Sequence, residues 1–180
     1  MANRPYLYSA NRPDDWDHPA KDPEKHYYDS RWAIPLAWFF FYLPSNIRTV
    51  DMQFGKSQWQ ETKLAADKTT AADLFNRRRP LLLSITQNHL EDNAVNELYA
   101  AITRWPGQFL LMDPEEVLSG MTENRSWHVE RFARILSLLE SNRPDPKAVL
   151  EAIYPYVGKL DSDPVFCRGQ VVGYTYTFPK

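Results

Sequence analysis

The chain has 180 residues, a net charge of −2 and an apolar share of 43%, and 14% of its residues are aromatic. That length predicts one domain, residues 1–180, with a sizeable buried core. The near-neutral charge excludes a global field that attracts nucleic acid or an acidic membrane. Cys167, the one cysteine, excludes an internal disulfide.

The N-terminus lacks the basic and apolar regions of a signal peptide, which favours a cytoplasmic protein. The longest apolar stretch, residues 32–43, is about half the ~20 residues that a membrane helix needs, so we expect no membrane association.

Near the N-terminus, Tyr6–Ala10 predicts a strand, and the preceding Pro5 suits the edge of a sheet. Residues 11–30 contain prolines and acids without periodicity, which predicts a long surface loop. Residues 36–43 are apolar on all sides and fit a buried helix or a strand. We prefer a helix that begins after Pro35 and ends before Pro44.

Ile47–Phe54 alternates apolar and polar residues and predicts a strand that turns Val50 and Met52 inward. Further on, Thr70 and Asp73 have the spacing of a capping box for a helix over residues 70–79, which Pro80 breaks or kinks. Residues 81–86 fit either a helix or a buried strand, and we prefer the helix.

The second half of the chain shows mainly helical spacing. Asp113 and Pro114 suit the start of a short helix that Gly120 ends. Tyr154 is among the positions that we expect to be buried. The predicted helices cover residues 92–105, 113–120, 125–141 and 146–157, with strands at 108–112 and 170–178.

Strands at both ends and helices between them predict an α+β fold. We expect several helices packed on a small, mostly antiparallel sheet that includes both terminal strands. No recurring period indicates repeats.

The strongest candidate for a binding surface is the acidic segment near the N-terminus. Asp14, Asp15, Trp16 and Asp17 combine negative charge with a tryptophan among polar neighbours. Exposed tryptophans anchor protein interfaces because they desolvate a large area at low entropic cost. We therefore predict that these four residues contact a protein partner. Trp59 has similarly polar neighbours.

A second hypothesis is a small-ligand or hydrolytic site assembled from scattered His, Asp and Glu side chains. The four histidines, His18, His26, His89 and His128, would then converge. No spacing matches a metal, nucleophile or phosphate-binding motif. The sequence therefore predicts no catalytic, cofactor-binding or metal-ligating set, and an enzyme is the weaker hypothesis.

A third hypothesis is a nucleic-acid-associated regulator that uses Arg77, Arg78 and Arg79 to bind phosphates. Dipole stabilisation at the end of a helix explains the same three arginines. Cys167 fits a small packed residue. His128 and Glu130 are two residues apart on a predicted helix, so their side chains face away from each other and do not form an acid–base pair.

The opening residues Met-Ala-Asn-Arg-x-Tyr-Leu-Tyr, followed by Asn11-Arg12-Pro13, resemble an uncharacterised family of small bacterial proteins. The resemblance covers residues 1–8 and 11–13 and implies a bacterial protein without assigning catalytic residues. Small proteins of this kind are often immunity partners of polymorphic toxins. The leading expectation is thus a non-enzymatic immunity-type protein that binds a cognate toxin.

Overall fold

The computed structural model describes residues 4–17, 19, 26–30, 33–86, 92–157 and 174–176. The fold is α+β, as predicted: helices pack on one face of an antiparallel sheet. Segments from both ends of the chain lie in that sheet.

The sheet has six described strands in the order β3-β4-β5-β1-β2-β6, and every neighbouring pair is antiparallel. The predicted C-terminal strand is described only in part, as β6. The strands are β1 (Tyr6–Ala10), β2 (Tyr27–Asp29), β3 (Ile47–Phe54), β4 (Ser57–Asp67), β5 (Phe109–Asp113) and β6 (Tyr174–Tyr176).

The described α-helices follow the predicted positions closely, because their apolar residues recur every three or four positions. Two short 3-10 helices, Leu36–Phe41 and Pro44–Asn46, precede β3. The α-helices are α1 (Lys68–Thr86), α2 (Asp92–Arg104), α3 (Glu115–Leu118), α4 (Arg125–Glu140) and α5 (Pro146–Val157).

The main core lies between the helices and the sheet. The fully buried 3-10 helix Leu36–Phe41 is at its centre, where Phe39 contacts Phe132 and Tyr156, and Phe41 stacks on Phe75 with centroids 4.2 Å apart. The sequence therefore predicted a helix here correctly, although it is a 3-10 helix of six residues.

β1 lies inside the sheet, between β5 and β2, so the expectation of an edge strand is wrong. All five of its residues are buried, because one face packs against helices and the other is covered by residues of the following loop. That loop ends earlier than predicted, since Tyr27–Asp29 pairs with β1.

α1 differs from the prediction at its N-terminus and at Pro80. Asp67 accepts hydrogen bonds from the main-chain N–H and hydroxyl of Thr70, so the helix begins earlier than a Thr70 cap implies. The helix continues through Pro80 to Thr86, and residues 81–86 are helical as preferred.

The exposure of Tyr154 in α5 differs from the prediction. Tyr154 is 54% exposed, whereas Tyr156 is buried against Phe132. The prediction that Tyr154 is buried is therefore wrong.

β3 and β4 form a two-stranded arm that the sequence predicted only in part. The turn at Gly55 and Lys56 joins them, and Gly55 has a φ of 59°, which glycine adopts without strain. β5 pairs only with Leu64–Asp67 of β4, so Ser57–Lys63 pairs with β3 alone. The arm therefore extends past the end of β5.

Candidate partner-binding surface

The sheet face opposite the helices, called the outer face below, carries a small apolar cluster under the N-terminal loop. Trp16 of that loop packs on the cluster, and the Tyr8 hydroxyl donates a hydrogen bond of 3.1 Å to the main-chain oxygen of Asp15. The loop is thus attached to the sheet through β1. The buried members of the cluster are Tyr6, Tyr8, Ala10, Tyr27, Ala65 and Leu111.

A charged group borders this cluster on the neighbouring strands. Lys63 of β4 is 2% exposed, and its Nζ lies 2.5 Å from Asp113 Oδ2 and 2.8 Å from Glu61 Oε2. The other Glu61 oxygen accepts a hydrogen bond of 2.8 Å from Trp59 Nε1. The same ammonium lies 5.7 Å from the centre of the Trp16 ring, which connects the charged group to the loop.

The charges in this group fix one another's protonation. Burial alone would lower the pKa of Lys63, but Asp113 and Glu61 together raise it. Burial alone would likewise raise the pKa of Glu61, but the hydrogen bonds from Lys63 and Trp59 lower it. Lys63 is therefore a permanent cation near neutral pH, which removes the free amine that a nucleophile or a general base requires.

Glu115 extends the carboxylates toward the N-terminus of α4. Its Oε1 accepts a hydrogen bond of 2.8 Å from Arg125, and its Oε2 lies 3.4 Å from the main-chain nitrogen of Thr62. Burial raises the pKa of Glu115; Arg125 opposes this shift and the charge of Glu61 adds to it. Carboxylates are thus concentrated at this border of the outer face.

The predicted partner-binding residues lie beside this charged group. Asp14 and Asp17 are exposed, whereas Asp15 and Trp16 are half-buried because the loop rests on the sheet. Burial raises the pKa of Tyr8, and Asp113, Asp15 and Asp17 raise it further. β5 and the loop therefore both place negative charge near the Tyr8 hydroxyl. Arg12, 3.8 Å from Asp14, is the nearby loop cation.

Sequence reasoning missed Glu61, Lys63 and Asp113 as parts of this surface. Their signal was the alternation of Trp59, Glu61, Lys63 and Ala65, which places all four on one side of β4. The register then sets Lys63 one residue beyond the Leu64–Met112 pair, next to Asp113.

The described histidines do not form the site that the second hypothesis requires. His26 is exposed before β2, whereas His128 is buried and its Nδ1 lies 3.2 Å from the Tyr156 hydroxyl. Burial lowers the pKa of His128, although Glu123 opposes this shift. His18, His89 and Cys167 lie outside the described residues. Within the described ranges, no three His, Cys, Asp or Glu side chains cluster closely enough to hold a metal ion.

The arginine run of the third hypothesis is divided by helix geometry. Arg78 is buried, and its guanidinium donates hydrogen bonds to the carbonyls of Phe40 and Tyr42 at 3.3 and 2.7 Å. Burial lowers the pKa of Arg78 to about 10. Arg77 and Arg79 remain accessible, so the three guanidiniums do not act as one phosphate-binding group.

A surface recess of about 490 Å³ lies on the arm, away from the loop residues. The recess is lined by Asp51, Met52, Gln53, Gln58, Trp59 and Gln60.

Among the described helices, none combines the length and the apolar character that crossing a membrane requires.

Comparison of the chain with protein-family models, curated proteins and solved structures finds no match. The contacts of the outer face are therefore the basis for a functional proposal.

Proposed function

We propose that this protein is a non-enzymatic binding protein whose acidic surface binds a basic protein partner. The acidic surface consists of Asp14, Asp15, Trp16 and Asp17 with the adjoining Glu61, Asp113 and Glu115. Among the described residues, its carboxylates outnumber the neighbouring cations, Arg12, Lys63 and Arg125. The observation that carries the proposal is the attachment of Trp16 beside Lys63, because it joins the acidic loop to the acidic border of the sheet.

The attachment matters for affinity as well as for charge. A loop that is already held in place loses little conformational freedom when a partner binds. The Tyr8–Asp15 hydrogen bond and the packing of Trp16 hold the loop, while Asp14 and Asp17 stay exposed. Fixed surface charge of this kind accelerates association and selects partners of opposite charge.

The proposed partner is a basic protein such as a nuclease toxin, and the protein would act as its immunity partner in a bacterial cytoplasm. A toxin that acts on nucleic acid needs a basic cleft, because it must bind phosphates. Occupying that cleft with a fixed acidic surface would exclude the substrate. The N-terminal resemblance to small bacterial proteins is consistent with this role.

The direct test reverses the exposed charges of the loop. Asp14→Lys with Asp17→Lys should weaken capture of the partner from source-cell extract by about tenfold or more, because like charges then face each other. Glu130→Lys with Glu151→Lys makes the same change in net charge on exposed positions of α4 and α5 and should leave capture unchanged.

The captured protein should then be identified by mass spectrometry and expressed in cells with each variant. Growth should be protected by the wild type and by the α4–α5 control, but poorly by the loop variant. Equal capture and equal protection by all three proteins would contradict the proposal.

A further inference from the structure

The arm leaves one edge of β4 open. β5 pairs with Leu64–Asp67 and ends at Asp113, so no described strand lies beside residues 57–62 on that side. Residues 57–60 are all exposed, and the Trp59 side chain is 39% exposed. Because Glu115 of α3 reaches the main-chain nitrogen of Thr62, the exposed part of this edge is residues 57–60.

The main-chain groups of this edge point to its open side. The N–H of Lys68 bonds to Gln108 O and the N–H of Thr62 faces Glu115, both on the β5 side. Main-chain groups alternate sides along a strand, and the β3–β4 register is unbroken. The N–H and C=O groups of Gln58 and Gln60 thus also face the open side.

The open edge also lacks the features that prevent strand pairing. Natural edge strands are usually protected by lysine, proline, bulges or inward charges. Residues 57–60 read Ser-Gln-Trp-Gln and contain none of these, and Lys56 precedes them at the turn. Glu61, which follows, is neutralised by Lys63. An unprotected edge with an exposed tryptophan indicates that another strand covers it.

We infer that a second copy of this chain pairs antiparallel with this edge around a two-fold axis at Trp59. A two-fold contact requires a surface that is complementary to itself. In this register Gln58 faces Gln60 of the second copy and exchanges both main-chain hydrogen bonds with it. The two Trp59 residues then form a close non-hydrogen-bonded pair, at which aromatic side chains stabilise a sheet.

Charge and space select this register over its neighbours. Lys56 of the second copy falls opposite Thr62, beside the Glu115 carboxylate, and the symmetry repeats this attraction. The turn at Gly55 then directs the second chain away before it reaches Asp113. A shift of two residues toward β5 would place Lys56 opposite Leu64, where Met112 already pairs. The opposite shift would lose the Lys56–Glu115 attraction.

This dimer goes beyond the proposed function and shares Glu115 with the acidic surface. The two proposals are tested separately, because Asp14 and Asp17, which test partner binding, lie outside the arm. Sedimentation equilibrium of the full chain should show the mass rising from one to two chains between about 1 µM and about 200 µM. If the wild type stays monomeric over this whole concentration range, the inference is overturned. The open edge would then bind a different chain.

Proline substitution distinguishes the two edges of the arm. Gln60→Pro removes an N–H on the open edge without removing a β3–β4 bond, and it should weaken dimerisation at least about tenfold. Thr49→Pro removes an N–H on the outer edge of β3 and should leave the dimer intact. Circular dichroism should confirm that both variants are folded. Equal effects of the two substitutions would overturn the inference.

The register is tested by cross-linking and by charge. In a Cys167→Ser background, Trp59→Cys should form a disulfide-linked dimer under mild oxidation, because facing Cα atoms at such a pair lie within disulfide reach. Thr49→Cys in the same background should not. Lys56→Glu should weaken the dimer, and adding Glu115→Gln should restore part of the loss, because it removes the new repulsion between the two carboxylates. Absence of the Trp59→Cys cross-link would overturn the proposed register.

Discussion

The two faces of the sheet are buried by different means. Leu7, Leu64 and Met112 face the helices and belong to the apolar main core. On the outer face the same strands present Tyr8, Lys63 and Asp113, and Trp16 of the loop packs beside Tyr8 and Lys63. Buried polar groups must have partners, so the stability of the outer face depends on hydrogen bonds and ion pairs. The stability of the helix-covered face depends instead on close packing of apolar side chains.

The difference explains where a binding surface can form. The helix-covered face has no access to solvent, so its residues serve stability. The outer face keeps its carboxylates at 12–19% side-chain exposure near Lys63, and two aspartates of the loop are exposed. The following predictions test this contrast between the two faces.

The largest effect is expected on the helix-covered face. Phe132 is fully buried between the Phe39 and Tyr156 rings, at 5.4 and 4.9 Å between centroids. Phe132→Ala should lower the free energy of unfolding by about 3–5 kcal/mol at pH 7, because it leaves a cavity. Urea unfolding measures the change. Arg134→Ala, an exposed position on the same helix, should stay within about 0.5 kcal/mol of wild type.

A somewhat smaller loss is expected from the buried cation of the outer face. Lys63→Met leaves Glu61 and Asp113 close together without their counter-charge and should cost about 3 kcal/mol, since some solvent still reaches them. Adding Glu61→Gln and Asp113→Asn should restore much of that stability. If the triple variant is no more stable than Lys63→Met, the loss comes from packing, and the contrast between the faces fails.

The smallest effect is specific to pH. The hydrogen bonds from Lys63 and Trp59 lower the pKa of Glu61 in the fold, so its stabilisation is present above an unfolded pKa near 4.5. That stabilisation is lost as the pH falls through the lower pKa of the folded protein. Glu61→Gln should therefore cost about 1.5 kcal/mol at pH 7, and less as the pH falls below about 4.5.

Urea unfolding of this variant at several pH values tests the sign. Glu115 has the opposite effect on stability, because its pKa is raised in the folded protein. Lowering the pH through that raised pKa therefore stabilises the folded state relative to the unfolded chain. The deficit of Phe132→Ala should change little over the same range and serves as the control. A Glu61→Gln deficit that stays constant to low pH would contradict the ion-pair account.

Helix positions were largely predictable from the sequence, because each helix buries one stripe at a fixed spacing. Phe132, Ile135 and Leu136 of α4 were placed correctly in the core for this reason. β4 was missed because its first half is a polar arm and its second half, Leu-Ala-Ala-Asp, lacks the β-branched residues typical of strands. Its strand character comes from pairing with β3 and β5.

The candidate surface was predictable only in its loop. Asp14, Asp15, Trp16 and Asp17 were identified from composition, because acids around a tryptophan stand out in any single sequence. Glu61 and Asp113 could not be added, since their proximity to the loop depends on the register of β4 and β5 and on the position of β1 between β5 and β2. Whether these residues bind a partner remains a prediction.

The amino-acid sequence by itself determined the α+β class and most helix positions, because local periodicity and proline and glycine placement act over a few residues. Tertiary structure alone decided that β1 is central, that Arg78 is buried between the more accessible Arg77 and Arg79, and that β4 extends past the end of β5. Those features arise from contacts between residues far apart in the chain. Their free energy depends on which surfaces meet, and no local pattern records that.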